Sequence, residues 1–301
     1  MSVWVRRGRL FGAAGLMIGM LTVSAAPAAA QGDNPNQGAI SISGGIDFLN
    51  AYFFRGIPQS APSDEDHGVV MWPYAELGFA LYEGDGGLTG VSAAVGTWNS
   101  LHTGFTGLDG AADQLWYESD FYSSLGLDFS GGTSFGVTYT AYTSPNGWFS
   151  TVKELAFSLS FDDSELLGEG AVSPYITIAR ELGDADDPGT GQADGGLSMG
   201  TYLELGASPG YSAERVTLSV PIKVGLSLSD YYENPLTGED SKFGFFSIGG
   251  QIGVPLTQGA TQLGSWELHG GIEFLKLGDT NELFYGESSQ VIGSVGIGFS
   301  Y

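Results

Sequence analysis

Acidic side chains supply most of the residues in this sequence that could do chemistry. Asp and Glu together number 34 against 10 Lys and Arg, which gives a net charge of −24 at neutral pH. A charge of this sign attracts cations and repels nucleic acid, so we expect no nucleic-acid partner. What the carboxylates can do depends on whether the fold gathers them on one surface.

Histidine is the most frequent general acid or base in enzymes, and the chain has three, His67, His102 and His269. Nucleophilic catalysis needs a serine beside a histidine that a third polar group orients. The first two histidines fall in predicted loops and the third within a predicted strand, and no His-Glu-x-x-His motif occurs. We therefore expect that the protein is not an enzyme, with a membrane-bound hydrolase as the less favoured alternative.

The sequence contains no cysteine, so it has no disulfide, no thiolate metal site and no lipid-modified cysteine. Acidic clusters in predicted loops would either bind calcium, bridging surface lipopolysaccharide through divalent ions, or be ordinary solvated loops. Their spacing does not match an EF-hand, and we favour solvated loops, with no metal and no cofactor. The clusters are Asp64-Glu65-Asp66, Asp184-x-Asp186-Asp187 and Glu239-Asp240.

The first thirty residues have the layout of a signal peptide. Three arginines, at positions 6, 7 and 9, precede an apolar stretch from Leu10 to Val23 and a small-residue run that ends at Ala30. The apolar stretch is short for a membrane-spanning helix, which is the alternative. We expect cleavage near Ala30, a flexible lead-in at 31–38 that is polar and rich in Gly and Pro, and one domain at 39–301.

Alternation of apolar and polar residues predicts β-strands along the rest of the chain. Between Arg215 and Ser229 every even position is apolar, whereas the odd positions are polar, small or proline. No helix gives this pattern, because the faces of a helix repeat every 3.6 residues. The predicted strands number twelve and lie at 40–55, 69–82, 88–100, 115–129, 133–144, 152–162, 171–182, 197–207, 215–229, 243–256, 265–278 and 289–301.

Strand and connection lengths favour a transmembrane barrel over a soluble β-sandwich. Sandwich strands usually run about 5–6 residues, whereas a tilted strand needs about 9–11 to cross a bilayer. Short and long connections alternate along the chain, as in outer-membrane barrels, which places both termini in the periplasm. We predict an all-β, transmembrane, antiparallel, up-and-down barrel of twelve strands, with ten and fourteen as alternatives. Pro221, in the clearest strand, and Pro73 conflict with this prediction unless a local bulge accommodates them.

Two short stretches carry a resemblance to a known family. Tyr52-Phe53-Phe54-Arg55-Gly56-Ile57 resembles the Tyr-x-Phe-Arg-Gly-Ile hallmark of the TorF family of putative porins, and the stretch 117–122 is similar to an acidic, aromatic strand of that family. The family pattern usually has Asp before the Tyr, where this chain has Ala51. The last strand, with Phe299 and Tyr301, resembles the terminal signal that the barrel assembly machinery reads. The resemblance implies an outer-membrane barrel with a pore function.

The alternation also assigns each charged residue to the lipid or to the lumen. Arg55 would either form a constriction near the outer mouth or pair with Asp120 or another wall carboxylate. Lys153, Arg180 and Lys276 fall on the lipid side, at outer strand ends where they can reach headgroups. The predicted lumen residues are Asp47, Arg55, Glu76, Glu118, Asp120, Asp128, Glu154, Glu181, Glu204, Lys223, Glu267, His269 and Glu273.

Ten carboxylates against two bases cannot all stay ionised in a dry interior, so the lumen should hold water. The sequence therefore predicts a passive, cation-preferring channel for small ions or solutes in the cell outer membrane. Its other partners would be outer-membrane lipid, lipopolysaccharide and the barrel assembly machinery. The alternative is a structural or adhesive barrel that is plugged by side chains and does not conduct, with acidic loops that bind divalent ions.

Overall fold

The computed structural model describes residues 38–106, 115–183, 198–213, 215–234, 236–257 and 264–301. The predicted signal peptide at 1–30, nearly all of the lead-in at 31–38 and the acidic cluster at 184–187 lie outside these residues. None of the helices in the described ranges is long and apolar enough to cross a membrane.

Twelve antiparallel strands form a closed barrel, as the sequence predicts. Two of them are interrupted, so that β10 continues as β11 and β12 continues as β13. A short hairpin, β2 and β3, lies apart from the barrel sheet. The strands are β1 Ile40–Leu49, β2 Phe53–Phe54, β3 Ile57–Pro58, β4 Val70–Glu83, β5 Leu88–His102, β6 Trp116–Phe129, β7 Thr133–Thr143, β8 Val152–Phe161, β9 Tyr175–Glu181, β10 Thr201–Ala207, β11 Gly210–Ala213, β12 Val216–Ser219, β13 Ile222–Ser229, β14 Phe243–Pro255, β15 Ser265–Leu277 and β16 Ser289–Ser300.

The barrel closes where β1 pairs with both β4 and β16. Ile46 lies opposite Ile297 in this seam, and just beyond the end of β16 Tyr301 exchanges two backbone hydrogen bonds of 2.7 Å with Ile42. The first and last strands therefore leave no open edge at the seam, as a backbone within lipid requires. We call the end of the barrel with the connections 50–69, 103–115, 144–151, 182–200, 230–242 and 278–288 the long-loop end, and the opposite end the short-turn end.

The two faces of the wall differ as the alternation predicts. Leu125 is 54% exposed and Ile272 is 61% exposed on the outer face, whereas Asp120 is 1% exposed on the inner face. Apolar side chains on the outside of a barrel are the signature of contact with lipid. Lys153, Arg180 and Lys276 lie near the long-loop ends of β8, β9 and β15, as expected. The guanidinium of Arg180 donates to the carbonyl of Met199 and the hydroxyl of Thr201, both at 2.7 Å.

Pro221 interrupts its strand without a bulge. Leu218 pairs with Ile252 before the proline and Ile222 pairs with Ile248 after it, so the register is unchanged. The carbonyl of Pro221 still accepts a hydrogen bond from the Gly249 N–H at 2.9 Å. The cost of the proline is therefore the one ladder bond that its missing N–H cannot form.

The first strand is shorter than predicted. β1 ends at Leu49 rather than at Arg55, and the chain then turns into the lumen as a segment of residues 51–61 that contains β2 and β3. We call this the inward segment. Its turn uses left-handed backbone at Arg55 (φ 52°) and Gly56 (φ 84°). An added Cβ on Gly56 would lie 2.8 Å from both Asn281 and Phe245, so both conformation and space require glycine there.

Two other strands also begin later than predicted. β9 starts at Tyr175, after a connection that contains a helix, α1 (Ser164–Leu167), and a 3₁₀ turn at Gly168–Gly170, and β10 starts at Thr201. The carboxylate of Asp163 holds that connection by accepting backbone hydrogen bonds of 3.0 Å from Ser173 and from Val172. These bonds, led by the one from Ser173, lower the pKa of Asp163. The last long connection contains the helix α2 (Asp279–Tyr285).

Candidate channel interior

The predicted wall residues all lie on the inner face, but they divide by depth. Near the long-loop end Glu118, Glu154 and Glu181 are buried. Near the short-turn end Asp128 and Glu267 are partly exposed. The other buried members of the set are Asp47, Asp120 and Glu204, and the other partly exposed ones are Glu76, Lys223, His269 and Glu273.

The sequence predicts Arg55 as a wall residue of the first strand, but in the structure its side chain reaches the wall from the inward segment. Its guanidinium donates to both carboxylate oxygens of Glu154, at 2.6 and 2.8 Å, and to the hydroxyl of Tyr231 at 2.8 Å. The side chains of the ion pair are 1% and 3% exposed. The guanidinium also lies 4.1 Å from the ring centre of Tyr202. Its carboxylate partner is thus Glu154 and not Asp120, because the turn at Arg55 aims the side chain at β8.

Further hydrogen bonds fasten the inward segment to the wall along its length. The hydroxyl of Tyr52 donates to Glu118 at 2.9 Å, and the hydroxyl of Tyr117 donates to the side-chain oxygen of Gln59 at 2.6 Å. At the turn, the hydroxyl of Tyr232 donates to the backbone carbonyl of Arg55 at 2.9 Å. Together with the ion pair, these bonds hold the segment at both ends and in the middle.

Tyrosines from outside the predicted strands fill the space beside the inward segment. Tyr231 and Tyr232 follow β13 in what the sequence predicts to be an outer loop, yet they are 1% and 0% exposed. Their ring centres lie 5.0 Å apart, and the ring of Tyr202 lies 5.0 Å from that of Tyr231. The only sequence signal for this cluster is the aromatic pair itself, directly after a strand. The long-loop half of the lumen is therefore packed rather than open.

Further wall carboxylates are partnered by a histidine, a tyrosine and a lysine. His269 contacts Asp47 at 2.5 Å, and the hydroxyl of Tyr122 donates to Glu76 at 2.9 Å. Lys223 lies 3.5 Å from Glu273, with side chains that are 16% and 28% exposed. These partners leave most of the negative charge of the wall uncompensated.

Several buried hydroxyls of the lumen have no hydrogen-bond partner among the described residues. They belong to Thr138, Ser158 and Thr177 on three adjacent strands and to Ser247 on β14. Ser158 and Thr177 lie directly opposite each other across β8 and β9. Buried polar groups in proteins are almost always satisfied, and water does this where protein groups do not. The interior is therefore expected to hold water at mid-depth.

A cavity of ≈ 50 Å³ lies between the inward segment and the wall. Apolar side chains, including those of Trp72 and Trp98, form part of its lining. Arg55, Lys223 and Glu204 supply polar lining. A cavity of this size has room for about four water molecules.

Two serine–histidine contacts occur that the sequence did not reveal. Ser100 lies 2.7 Å from the Nε2 of His102, and Ser60 lies 2.8 Å from the Nδ1 of His67. His102 is the last residue of β5 rather than part of a loop, and its Nδ1 has no partner among the described residues. Burial lowers the pKa of His67, with a smaller opposing effect of Asp66.

Serines with the spacing Gly-x-Ser-x-Gly occur at 132–136, 196–200 and 206–210. The first spans the start of β7, the second ends directly before β10 and the third joins β10 to β11, so none precedes a helix as a nucleophile elbow does. Within the described residues no group of three or more His, Asp or Glu side chains could hold a metal ion.

Comparison with known proteins gives distant structural likenesses. The chain matches no protein-family model and no curated protein. Among solved structures, it is similar to the NanC porin, with 12% identity and a TM-score of 0.39 over 87% of this chain and 99% of that one. It is similar to the KdgM porin, with 7% identity and a TM-score of 0.38 over 87% and 99%. It is also similar to outer membrane phospholipase A from Escherichia coli, with 10% identity and a TM-score of 0.40 over 85% and 92%. Likenesses this distant do not distinguish a porin from an enzyme.

Proposed function

We propose that the protein is a narrow, porin-like channel of the outer membrane that passes small cations by diffusion. The observation that carries this proposal is the acidic inner face of a transmembrane barrel. Among the described residues of the predicted lumen set, ten carboxylates lie with two basic side chains, Lys223 and the inserted Arg55. Arg55 is neutralised by Glu154, so the field in the lumen is set by the remaining carboxylates. Fixed charge of one sign in a confined aqueous space enriches ions of the opposite sign.

The inward segment forms the constriction of this channel. It occupies the long-loop half, whereas the carboxylates of Asp128 and Glu267 remain partly exposed in the short-turn half. The unpartnered hydroxyls call for water at mid-depth, between these two regions. The expected conductance is therefore small, and it should grow when the inward segment is removed.

A second candidate is a barrel that does not conduct. The packing of Tyr202, Tyr231 and Tyr232 against the inward segment favours it, because these side chains are almost fully buried in the lumen. The acidic loops give less support to this candidate, because two of their carboxylates already have partners within the protein. Asp240 is engaged by Lys242 at 2.6 Å and by Ser227 at 2.9 Å, and Asp66 caps the backbone N–H of Gly68 at 2.9 Å.

The proposal does not include catalysis. Ser100 accepts a hydrogen bond from the indole of Trp72 at 3.1 Å and is 0% exposed, so a substrate has no access to its hydroxyl. The proposed location rests on the apolar outer face, together with the predicted signal peptide and the aromatic last strand. Outer-membrane lipid, lipopolysaccharide and the barrel assembly machinery are the proposed partners.

The test is the current through the purified protein in a planar bilayer with a salt gradient. We expect a small, cation-selective conductance in the parent and a larger one when residues 51–61 are replaced by a Gly-Ser linker of equal length. The double variant Glu267→Gln, Glu273→Gln should move the reversal potential toward zero, and selectivity should fall near 1 M salt, where the Debye length is about 3 Å. Glu282→Gln, in the exposed part of α2, is the matched control. Anion selectivity in the parent contradicts the proposal, and no current in either the parent or the linker variant favours the second candidate.

A further inference from the structure

A serine joins the two ends of the inward segment and also contacts a histidine outside it. The backbone N–H of Tyr52 donates to the Oγ of Ser60 at 3.0 Å, and this oxygen lies 2.8 Å from the Nδ1 of His67. Ser60 is 0% exposed, whereas His67 is partly exposed in the connection between the segment and β4. A side chain that solvent protons can reach is therefore in direct contact with the buried segment.

The hydrogen bonds of Ser60 determine which form of His67 fits the site. A serine hydroxyl carries one hydrogen, and its oxygen here already accepts the N–H of Tyr52. Among the described residues this oxygen has only one other hydrogen-bond partner, the Nδ1 of His67. The hydroxyl hydrogen of the buried serine therefore points at Nδ1. That nitrogen accepts it only in the neutral imidazole that carries its proton on Nε2.

Protonation of His67 turns its Nδ1 into a donor. The N–H of Tyr52 and the N–H of the imidazolium then both point at the oxygen of Ser60, and the hydroxyl hydrogen has no acceptor in this buried site. A buried donor without an acceptor destabilises the arrangement that contains it. Withdrawal of the segment removes the conflict, because the released hydroxyl bonds to water.

The surroundings of His67 set the direction of its titration. Burial lowers the pKa of His67, and Asp66 opposes this with a smaller effect. Tyr285, from α2, faces the imidazole at 6.0 Å between ring centres, and burial raises the pKa of this tyrosine, so it stays neutral in weak acid. A histidine whose pKa falls below its usual value of about 6.5 on attachment stabilises the attached state above that pH. The stabilisation is lost as the pH falls toward the pKa of the attached state.

We propose that the Ser60–His67 pair is a pH-sensitive attachment of the inward segment. Neutral His67 holds the segment in the lumen through Ser60, and protonation in weak acid shifts the segment toward release. The attachment requires only that the segment fills the long-loop half of the barrel. Its consequence for ion flow rests on the proposed function, in which removal of the segment raises the conductance, so that acid widens the channel.

Release can be measured on the folded full-length protein in detergent by maleimide labelling of Ala61→Cys between pH 7.5 and 5.0. Ala61 is 1% exposed at the end of the segment, so its replacement reacts only when the segment moves. The rate at an exposed cysteine, from Asp64→Cys, is measured at each pH and divides out the ionisation of the thiol itself. We expect the normalised rate to rise about fivefold or more toward pH 5.0, the effect of one buried donor left without an acceptor. Uptake of one proton limits the rise to about tenfold per pH unit.

Three variants, each made in the Ala61→Cys protein, identify the group that titrates. His67→Gln should remove the rise, because the side-chain oxygen of glutamine accepts the hydroxyl hydrogen of Ser60 at every pH. Glu65→Gln, exposed on the same connection, should keep the full rise. Ser60→Ala leaves the histidine in place without its partner, so it should label faster than the parent already at pH 7.5 and rise little further in acid. A parent rate that does not rise, a rise that His67→Gln retains, or a full rise in Ser60→Ala overturns the inference.

Labelling and current separate this inference from the proposed function. A segment that is released through His67 in a protein that carries no current would contradict only the proposed function. A cation-selective channel in which the labelling of Ala61→Cys does not depend on His67 would contradict only this inference.

Discussion

Replacing Glu154 by Gln should release the inward segment. The change leaves the guanidinium of Arg55 buried without its counter-charge, and it turns one of the two hydrogen bonds, at 2.6 and 2.8 Å, into a contact between donors. Removing one partner of a buried ion pair costs about 3–5 kcal/mol. Because Arg55 belongs to the segment and Glu154 to the wall, this cost falls on the attachment of the segment rather than on the barrel sheet.

The absence of cysteine from the sequence allows a direct measurement. Ala61, at the end of the inward segment, is 1% exposed, and Ala61→Cys adds a single buried thiol. Its reaction with a maleimide reports the fraction of molecules in which the segment is out of place. A loss of 3–5 kcal/mol corresponds to labelling that is about a hundredfold to a few thousandfold faster.

Two further variants complete the experiment. Lys242→Gln breaks an ion pair in which Lys242 is 68% exposed, and it should change the labelling rate less than about fivefold. The double change Arg55→Met, Glu154→Leu removes both charges and should return the rate to within about tenfold of the parent. If Glu154→Gln labels at the parent rate, or if the double variant labels faster than Glu154→Gln, the ion pair does not hold the segment.

Three other predictions concern the barrel itself. Ile272→Lys places a charge on the lipid face and should cost about 2–4 kcal/mol in urea unfolding from vesicles, whereas Ser124→Lys on the lumen face should cost much less; equal costs would contradict the assignment of faces. Phe299→Asp should lower the amount of protein in the outer membrane without reducing its synthesis, because it removes a ring that packs 5.3 Å from Trp266; unchanged membrane levels would show that this strand end is dispensable. Asp163→Asn should destabilise the protein at pH 7, and the difference from the parent should shrink as the pH falls below the unfolded pKa of about 3.9. A folded-state pKa below that value stabilises the fold above it, and the effect is lost as the pH falls through the folded-state pKa; a variant whose destabilisation does not change with pH would argue against this charge effect.

The barrel could be predicted from the sequence because each strand shows the apolar–polar alternation within its own residues. Alternation is a local property, and it distinguishes Leu218 and Leu226, which face outward, from Thr217 and Ser227, which face the lumen. The same alternation assigned the wall carboxylates to the lumen side. The number of strands followed from counting such segments, with no knowledge of their partners.

The inward segment could not be predicted in the same way. Tyr52 and Phe54 continue the even-numbered apolar positions of β1, so the pattern reads as one long strand. β1 ends at Leu49 because the chain then turns into the interior of the barrel. That interior exists only when distant strands have closed around it. The clearest local signal was the break in alternation at Leu49 and Phe53.

The same limit explains the partner of Arg55. An interior arginine is expected to find a carboxylate, but several wall carboxylates were available. The choice of Glu154 depends on the turn at Gly56 and on Tyr231, which comes from a connection 176 residues away along the chain. Contacts of this kind depend on tertiary structure and leave no periodic trace in the sequence.

The position of α2 has a consequence for how the molecule is assembled. The first long connection is held by the last one, since Tyr285 lies 4.9 Å from Phe53 between ring centres and its carbonyl accepts the N–H of Ser63 at 2.8 Å. The inward segment is made early in synthesis, yet its restraints are complete only when the final hairpin arrives. That hairpin also supplies β16, which seals the seam against β1. The closed wall and the full set of contacts that hold the inward segment therefore both require the last hairpin.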